Sequence, residues 1–599
     1  MLGRTYETLT EMLRVQAQRQ PQATALVRIE SDGAVSAMDW ATWFQRAHTL
    51  AAGFQELGVA PGDRVAVMSR TRLEWLLLDF GLMFARAISV PVFHTEVTTT
   101  CQSVLGDATP RVVVLEDASH IERWLCEPEA PGRSQLTHIV LIDADSRTEE
   151  DAGGQKLAAE AGVHVLSLSE LLERGKTRLS SADEVRQEAQ PDDIVTITYT
   201  PGTEGAPKGV ILTHANFIAA SDGLLEVLDL QPEDRQLLYL PMAHAFGRMS
   251  VVCSVAAGVT VALARGYRTV VDDARQLKPT FLCSIPRLFE KIRDEFEAEE
   301  EASTLLHRVA ARWAFDRDGG WLDGVKEAVA GRLVNNRLRS MFGGKLRFAI
   351  SGAAPLAVEV GRWFDARDLP VLEGYGMTET AGVTHLNRLS DNVYGTVGRP
   401  LRGVEVRFAQ DGELFIRGGQ VAQGYWNREP STSRVDKDGW LHTGDLGCAD
   451  EAGRLSITDR KRDIILTATG KVIAPGPIAE ALRTHPLIGQ VLVHGERRSY
   501  LTALVTLDRE ALDRFARDAG LDLAYSELVR HPRVFATVEA LFDSVNADLA
   551  PHENIRKFAV LDTELSPEGG DLTATQGVRR RVAIAKHTAL LDSFYSESY

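Results

Sequence analysis

The sequence predicts an α/β protein: a large, multi-subdomain N-terminal domain of α/β layers with a β-rich subregion, and a small α+β C-terminal domain. Three observations carry this. Short β-branched runs alternate with apolar helical segments, residues 395–460 are rich in glycine and short strands, and the character of the chain changes after Asp463. With 599 residues the chain is too long for one hydrophobic core.

The runs RVAVMSR (64–70) and RVVVLED (111–117) read as strands, and LEWLLLDFGLMFARA between them as a buried helix. Such alternation argues for helices layered on a largely parallel sheet. Residues 144–190 are polar and rich in Glu, Ser and Arg, and are expected to form a surface excursion. The alternation resumes in RQLLYLPMAHAFGR, VTVALAR and TFLCSIPRLFEKI. Residues 290–340 read as helical, with EFEAEEEAS a solvated face. LRFAISGAAPL reads as a strand running into a Gly-Ala turn. The expected domains are 1–461 and 462–599. No internal repeat is visible.

Hydrophobic residues make up 44% and charged residues 25%, as in ordinary globular proteins. A net charge of -17 argues against a general nucleic-acid or anionic-membrane binder, while leaving room for a local basic pocket. The five cysteines are scattered without a C-x-x-C pair, which argues against a disulfide framework or zinc site and fits a reducing cytoplasm. The start, MLGRTYETLTEMLRVQAQ, lacks the apolar segment of a secretory signal, and no apolar run approaches a membrane span.

The stretch TYTPGTEGAPKGV (198–210) has the composition of an anion-holding loop. Gly202, Gly205 and Gly209 let backbone N–H groups approach an anion, and Lys208 adds charge. It is not G-x-x-x-x-G-K-[ST], so it is no Walker loop, and by itself it reads better as a plain Gly-Pro surface turn.

Further motifs follow in order: EGYGMTET (373–380), DGWLHTGDLG (438–447) and DRKRD (459–463). Together they resemble the motif set of the adenylate-forming superfamily. LPMAHAFGR, IPRLFEKI, SGAAPL, GKVIAPGPIAEAL and LTATQGVRRR resemble its long-chain acyl-CoA synthetase branch, so the likeness spans nearly the whole chain. The resemblance implies two half-reactions. A carboxylate attacks ATP to give acyl-AMP, then coenzyme A attacks the adenylate, with the C-terminal domain rotating between the steps.

It also implies residue roles. Thr200, Gly202, Thr203, Glu204, Gly205 and Lys208 would form the phosphate loop, and Gly352, Ala353 and Ala354 the adenine-side loop. Glu373, Gly374, Tyr375 and Gly376 would surround the base, with Tyr375 stacking on adenine. Thr378 would meet the α-phosphate, and Glu379 would hold Mg²⁺. Asp445 would accept the ribose hydroxyls, Arg460 would contact ribose or phosphate, and Arg462 would be the hinge. His244 would gate the acyl pocket, a buried core histidine being the alternative. Gly470 would let pantetheine pass.

Two positions depart from the pattern. The superfamily places its adenylation lysine where this chain has Gly577, within LTATQGVRR. Its usual T-S-G-T-T-G loop is here Thr200-Pro201-Gly202-Thr203-Glu204-Gly205, losing a hydroxyl and an N–H at Pro201 and gaining a carboxylate at Glu204. Two unit charges about 4 Å apart at an effective dielectric near 20 repel by roughly 4 kcal/mol, on the order of a thousandfold in binding. Both departures burden adenylation, whereas thioesterification needs neither group. The expectation is therefore a ligase that converts acyl-AMP and coenzyme A to acyl-CoA and AMP, does not use ATP productively, and receives acyl-AMP from a separate adenylating ligase. It is similar to non-adenylating acyl-CoA ligases of bacterial natural-product, diterpenoid-type pathways. The alternatives are a complete ATP-dependent synthetase, with Arg579 or Lys586 replacing the lysine, and an inactive regulator that binds adenylate or acid.

Overall fold

A computed structural model describes residues 6–127, 129–144, 149–181, 188–200, 207–302, 336–429, 433–565, 570–572 and 578–595. By packing, the chain forms two units: 1–406 with 416–441, and 407–415 with 442–599. Residues 407–415 and 442–461 pack with the C-terminal segment.

The larger unit is built on two sheets. Among the described residues one has eight strands, ordered Gly424–Tyr425, Lys208–Thr213, Ile194–Thr200, Ile88–Val92, Arg64–Met68, Val112–Leu115, His138–Leu141 and His164–Ser167. From Ile194–Thr200 to His164–Ser167 every pairing is parallel. The expected strands in 64–70 and 111–117 lie at its centre and are almost wholly buried. Strands covered on both faces read as continuous apolar runs, which is why they were legible.

The second sheet has nine strands among the described residues, ordered Arg399–Pro400, His385–Leu386, Val371–Tyr375, Phe348–Ser351, Phe281–Ser284, Arg235–Leu238, Thr260–Leu263, Thr24–Ile29 and Val35–Asp39. Its interior is parallel from Val371–Tyr375 to Thr24–Ile29.

One expectation fails. Residues 144–190 are not a surface excursion. His164–Ser167 is the edge strand of the eight-stranded sheet, and the helix Leu168–Ser181 packs closely on Trp40–Glu56. The two helices touch through glycine: a Cβ on Gly175 would lie 2.0 Å from the Thr49 carbonyl oxygen, and one on Gly53 2.5 Å from that of Leu171. A polar outer face hid a helix whose Leu171 is fully buried. The expected helix in 290–340 is seen in Pro286–Ala302 and Asn336–Met341, with 303–335 outside the described residues.

The smaller unit has its own core. Strands Ile488–His494, Leu501–Leu507 and Ile555–Val560 form one sheet. Ile478 and Leu482 of the helix Pro475–Arg483, and Val534, Val538 and Phe542 of Pro532–Asp548, are buried in the same core. The hairpin Leu441–Ala449 and Leu455–Arg460 falls in this unit but for its first residue. Among the described residues no helix is long and apolar enough to cross a membrane.

Candidate active site

In the larger unit, Arg235–Leu238, Phe281–Ser284, Phe348–Ser351 and Val371–Tyr375 are neighbouring parallel strands, with Ser284 opposite Ser351 and Ser351 opposite Glu373. Their C-terminal ends therefore open on one edge, where parallel α/β sheets bind ligands. Gly352, Ala353 and Ala354 follow their strand immediately. A Cβ on Gly352 would lie 3.2 Å from the Phe246 ring, so the loop passes close to an aromatic face. Ala353 has φ +69, a left-handed conformation rare for a residue with a side chain, and such strain concentrates at functional sites.

Tyr375 pairs with His385, the ring centroids 6.1 Å apart, and is half-buried. Gly376 must be glycine: a Cβ would lie 2.5 Å from the Gly382 carbonyl oxygen and from Val383 Cα. Gly374 is also tight, with Leu386 Cδ1 at 3.1 Å. Glu373, expected beside the base, is only 5% exposed. Its carboxylate accepts the backbone N–H of Gly395 at 3.0 Å and of Leu356 at 3.4 Å. It braces the segment that follows Phe348–Ser351, and burial pushes its pKa up to about 7.

His244, Gly352, Ala353, Gly374 and Gly376 line one narrow cavity. Its remaining walls are mainly apolar, including Leu228, Phe246, Met249, Phe281, Ile350 and Leu386. His244 caps the helix Ala245–Ala257: its Nδ1 accepts the Phe246 N–H at 3.2 Å. Burial lowers its pKa to about 4, so the ring is neutral at physiological pH. It suits a wall or gate, not a proton donor.

Thr378–Thr380 form a short 3₁₀ turn beyond Gly376. Glu379 is buried and its Oε1 accepts the Tyr425 hydroxyl at 2.8 Å. Arg434 Nη1 lies 4.0 Å from the same oxygen, and the Lys208 ammonium sits 5.6 Å from the centre of the Tyr425 ring. Lys208 and Glu379, placed in one site by the sequence, thus meet through Tyr425. Protein-bound magnesium takes one or two carboxylates and completes its shell with water and substrate phosphate. The described residues hold no cluster of three metal-ligating side chains, and the Glu379 oxygen already serves a hydroxyl and faces a guanidinium. A guanidinium 4.0 Å from that oxygen competes with a divalent cation for it. Gly202, Thr203, Glu204 and Gly205 lie outside the described residues, and Thr200 ends its strand just before them.

In the smaller unit, Asp445 and Arg460 are register partners across the hairpin, and Arg460 Nε lies 3.3 Å from Asp445 Oδ1. Asp445 is 5% exposed, a carboxylate held in place beside a cation. Lys461 is committed to Glu413 at 2.7 Å and Asp411 at 2.6 Å, and Arg462 lies 4.0 Å from Asp463. Gly470 sits between strands Ile465–Leu466 and Val472–Ile473 with φ +78, and a Cβ there would meet nothing within 4 Å. Within this unit its requirement is backbone conformation, not crowding. Gly577 lies outside the described residues, but Leu572 and Val578 on either side of it are paired. Lys586 Nζ lies 2.7 Å from Asp571, and Arg580 donates to the Val493 carbonyl at 2.8 Å.

Tyr425, Arg434 and Phe246 were not singled out from sequence. Tyr425 stands 46 residues from Glu379, and no local pattern joins them.

The larger unit thus presents a sheet edge with a glycine-lined loop, an apolar cavity beside it, and two cations near Tyr425. The family model "AMP-binding enzyme" matches residues 13–426, and "AMP-binding enzyme C-terminal domain" matches 462–599. The chain is 35% identical to a long-chain-fatty-acid–CoA ligase, FadD15, of Mycobacterium bovis, over 91% of this chain and 90% of the relative. It is 31% identical to the peroxisomal long chain acyl-CoA synthetase 7 of Arabidopsis thaliana, over 95% and 83%. The adenylation domain of a carboxylate reductase from Mycobacterium chelonae superposes with a TM-score of 0.80 at 22% identity, over 99% and 92%, a likeness of fold. The chain belongs to the adenylate-forming AMP-binding enzyme family and is an enzyme of the acyl-CoA ligase type.

Proposed function

We propose that this ligase is specialised for thioesterification, taking acyl-AMP and coenzyme A to acyl-CoA and AMP. The observation that carries the reading is Gly577, where the family's motif has a lysine. Of the two cations that could take the lysine's place, Arg579 and Lys586, the second is held by Asp571 at 2.7 Å, which supports it. Glu204 in the phosphate loop adds a repulsion that ATP meets and acyl-AMP does not.

The chemistry needs little from the missing lysine. The coenzyme A sulfur attacks the acyl carbonyl, a C–S bond forms, the acyl C–O bond to phosphate breaks, the thiol proton passes to solvent, and AMP leaves. The chain's part is to bind and orient: Tyr375 and the Gly352–Ala354 loop for the base, Thr378 for the phosphate, Asp445 and Arg460 for the ribose, and the cavity beside His244 for the acyl group. Gly470 admits pantetheine after rotation about Arg462. A separate adenylating ligase supplies acyl-AMP in the cytoplasm, and neither nucleic acid nor stable membrane insertion is involved. The acid belongs to the bulky apolar class of natural-product pathways.

The second reading is a complete ATP-dependent synthetase. It is favoured by the retained Lys208 and Glu379 and by relatives named as long-chain acyl-CoA ligases. The test supplies acyl-AMP with coenzyme A, and ATP with free acid and coenzyme A, over a panel of acids. Thioester from the first mixture only is expected. Robust pyrophosphate release in the second selects the complete synthetase, and no thioester from either selects an inactive binder.

A further inference from the structure

The carboxylate of Glu379 is served by groups of the chain itself. The Tyr425 hydroxyl donates to its Oε1 at 2.8 Å, and Arg434 Nη1 lies 4.0 Å from that atom. Arg434 is about a third exposed while Glu379 is only 10% exposed, so the guanidinium is the solvent-facing member of the pair. Its charge also bears on the Tyr425 hydroxyl. The Lys208 ammonium lies 5.6 Å from the centre of the Tyr425 ring. The turn carrying Glu379 begins at Thr378, one residue away. Two cations thus lie near one tyrosine beside the single carboxylate expected to hold a metal. A divalent ion there would meet Arg434, and a phosphate would meet a planar donor suited to paired contact with its oxygens.

We propose that Arg434 is a phosphate-binding residue that takes the place of a divalent cation at Glu379, so that the adenylate's phosphate is held without metal. Arg434 neutralises Glu379 when the site is empty. When nucleotide binds, its remaining donors turn to the phosphate while Tyr425 keeps its bond to Glu379. The arrangement serves AMP-containing ligands whichever half-reactions the enzyme performs, so it does not rest on the thioesterification-only reading.

The test is AMP binding by calorimetry on the full chain, with chelator and with magnesium, for wild type, Arg434→Ala and Arg434→Lys. Wild type is expected to bind equally in both buffers. Losing one charged phosphate contact should weaken binding by Arg434→Ala about tenfold in chelator. Magnesium should then recover part of the loss, because Glu379 is no longer neutralised. Arg434→Lys should fall between, keeping charge without the paired geometry. Unfolding curves check that all three proteins are folded. The proposal is overturned if Arg434→Ala binds AMP as wild type does in chelator, or if wild type needs magnesium. Failure of wild type to bind AMP in either buffer overturns the nucleotide reading and this proposal together. Thioester formation from acyl-AMP in wild type, with no pyrophosphate released from ATP, speaks only to the thioesterification reading.

Discussion

The backbone N–H of Gly395 donates to the buried Glu373 carboxylate at 3.0 Å, and Leu356 donates to its other oxygen at 3.4 Å. One side chain therefore ties the loop after Phe348–Ser351 to the turn before Arg399–Pro400. No charged partner offsets its burial, which raises its pKa from 4.5 to about 7.

This brace gives a pH-dependent stability of unusual sign. A folded pKa above the unfolded value means that the native state binds more protons between the two, so stability is greatest below about 4.5 and is lost as pH rises through about 7. The cost of the ionised form is on the order of 3 kcal/mol. Glu373→Gln removes this titration but loses one of the two accepted N–H bonds, worth about 1 kcal/mol. The variant should melt below wild type at pH 5 and at or above it at pH 8. A melting difference that stays constant across that range would refute the assignment.

Asp445 makes a sharper case for binding. It is 5% exposed, paired with Arg460, and suited to accept ribose hydroxyls. Asp445→Ala should weaken acyl-AMP binding by roughly 1.5–3 kcal/mol, the range for a charge-assisted bond, with coenzyme A binding little changed. Unchanged acyl-AMP affinity, read by calorimetry, would remove Asp445 from the site.

Gly470 separates backbone from steric effects. With φ +78 and open space where a Cβ would stand, Gly470→Ala and Gly470→Leu should destabilise alike, by about 1 kcal/mol. If pantetheine passes this backbone, turnover should fall much further with leucine than with alanine while acyl-AMP affinity holds. Equal turnover for the two variants would place the thiol's path elsewhere.

Legibility tracked burial and locality. Arg64–Met68 and Val112–Leu115 announce themselves because both faces are covered, whereas Gly376 was singled out by its motif and its close approach to Gly382 and Val383 is a tertiary feature. The helix Leu168–Ser181 was hidden because its polar residues outnumber the few that meet Trp40–Glu56. Glu373 was placed beside the base by its motif, yet its carboxylate points to Leu356 and Gly395, a direction set by tertiary contacts. The Glu379–Tyr425–Arg434 cluster was invisible for the same reason: its members are far apart in sequence and share no periodicity.

The last expectation concerns Gly577. Leu572 and Val578, on either side of it, are paired. Gly577→Lys returns a cation to the position where the family's motif carries one, and should give measurable pyrophosphate release from ATP and a verified acid. Glu204→Thr should add to this by removing a like charge from the phosphate loop. The lysine should matter more, because it acts on charge that develops as pyrophosphate departs, whereas magnesium carried by ATP already offsets part of Glu204. Both residues would act on one ATP, so the double variant need not equal the sum of the singles. Lys586→Ala is the companion control. Its ammonium is bound to Asp571, so its removal should leave the adenylation of Gly577→Lys in place while lowering stability. Wild-type pyrophosphate release that disappears in Lys586→Ala would instead identify Lys586 as the working cation and restore the complete synthetase.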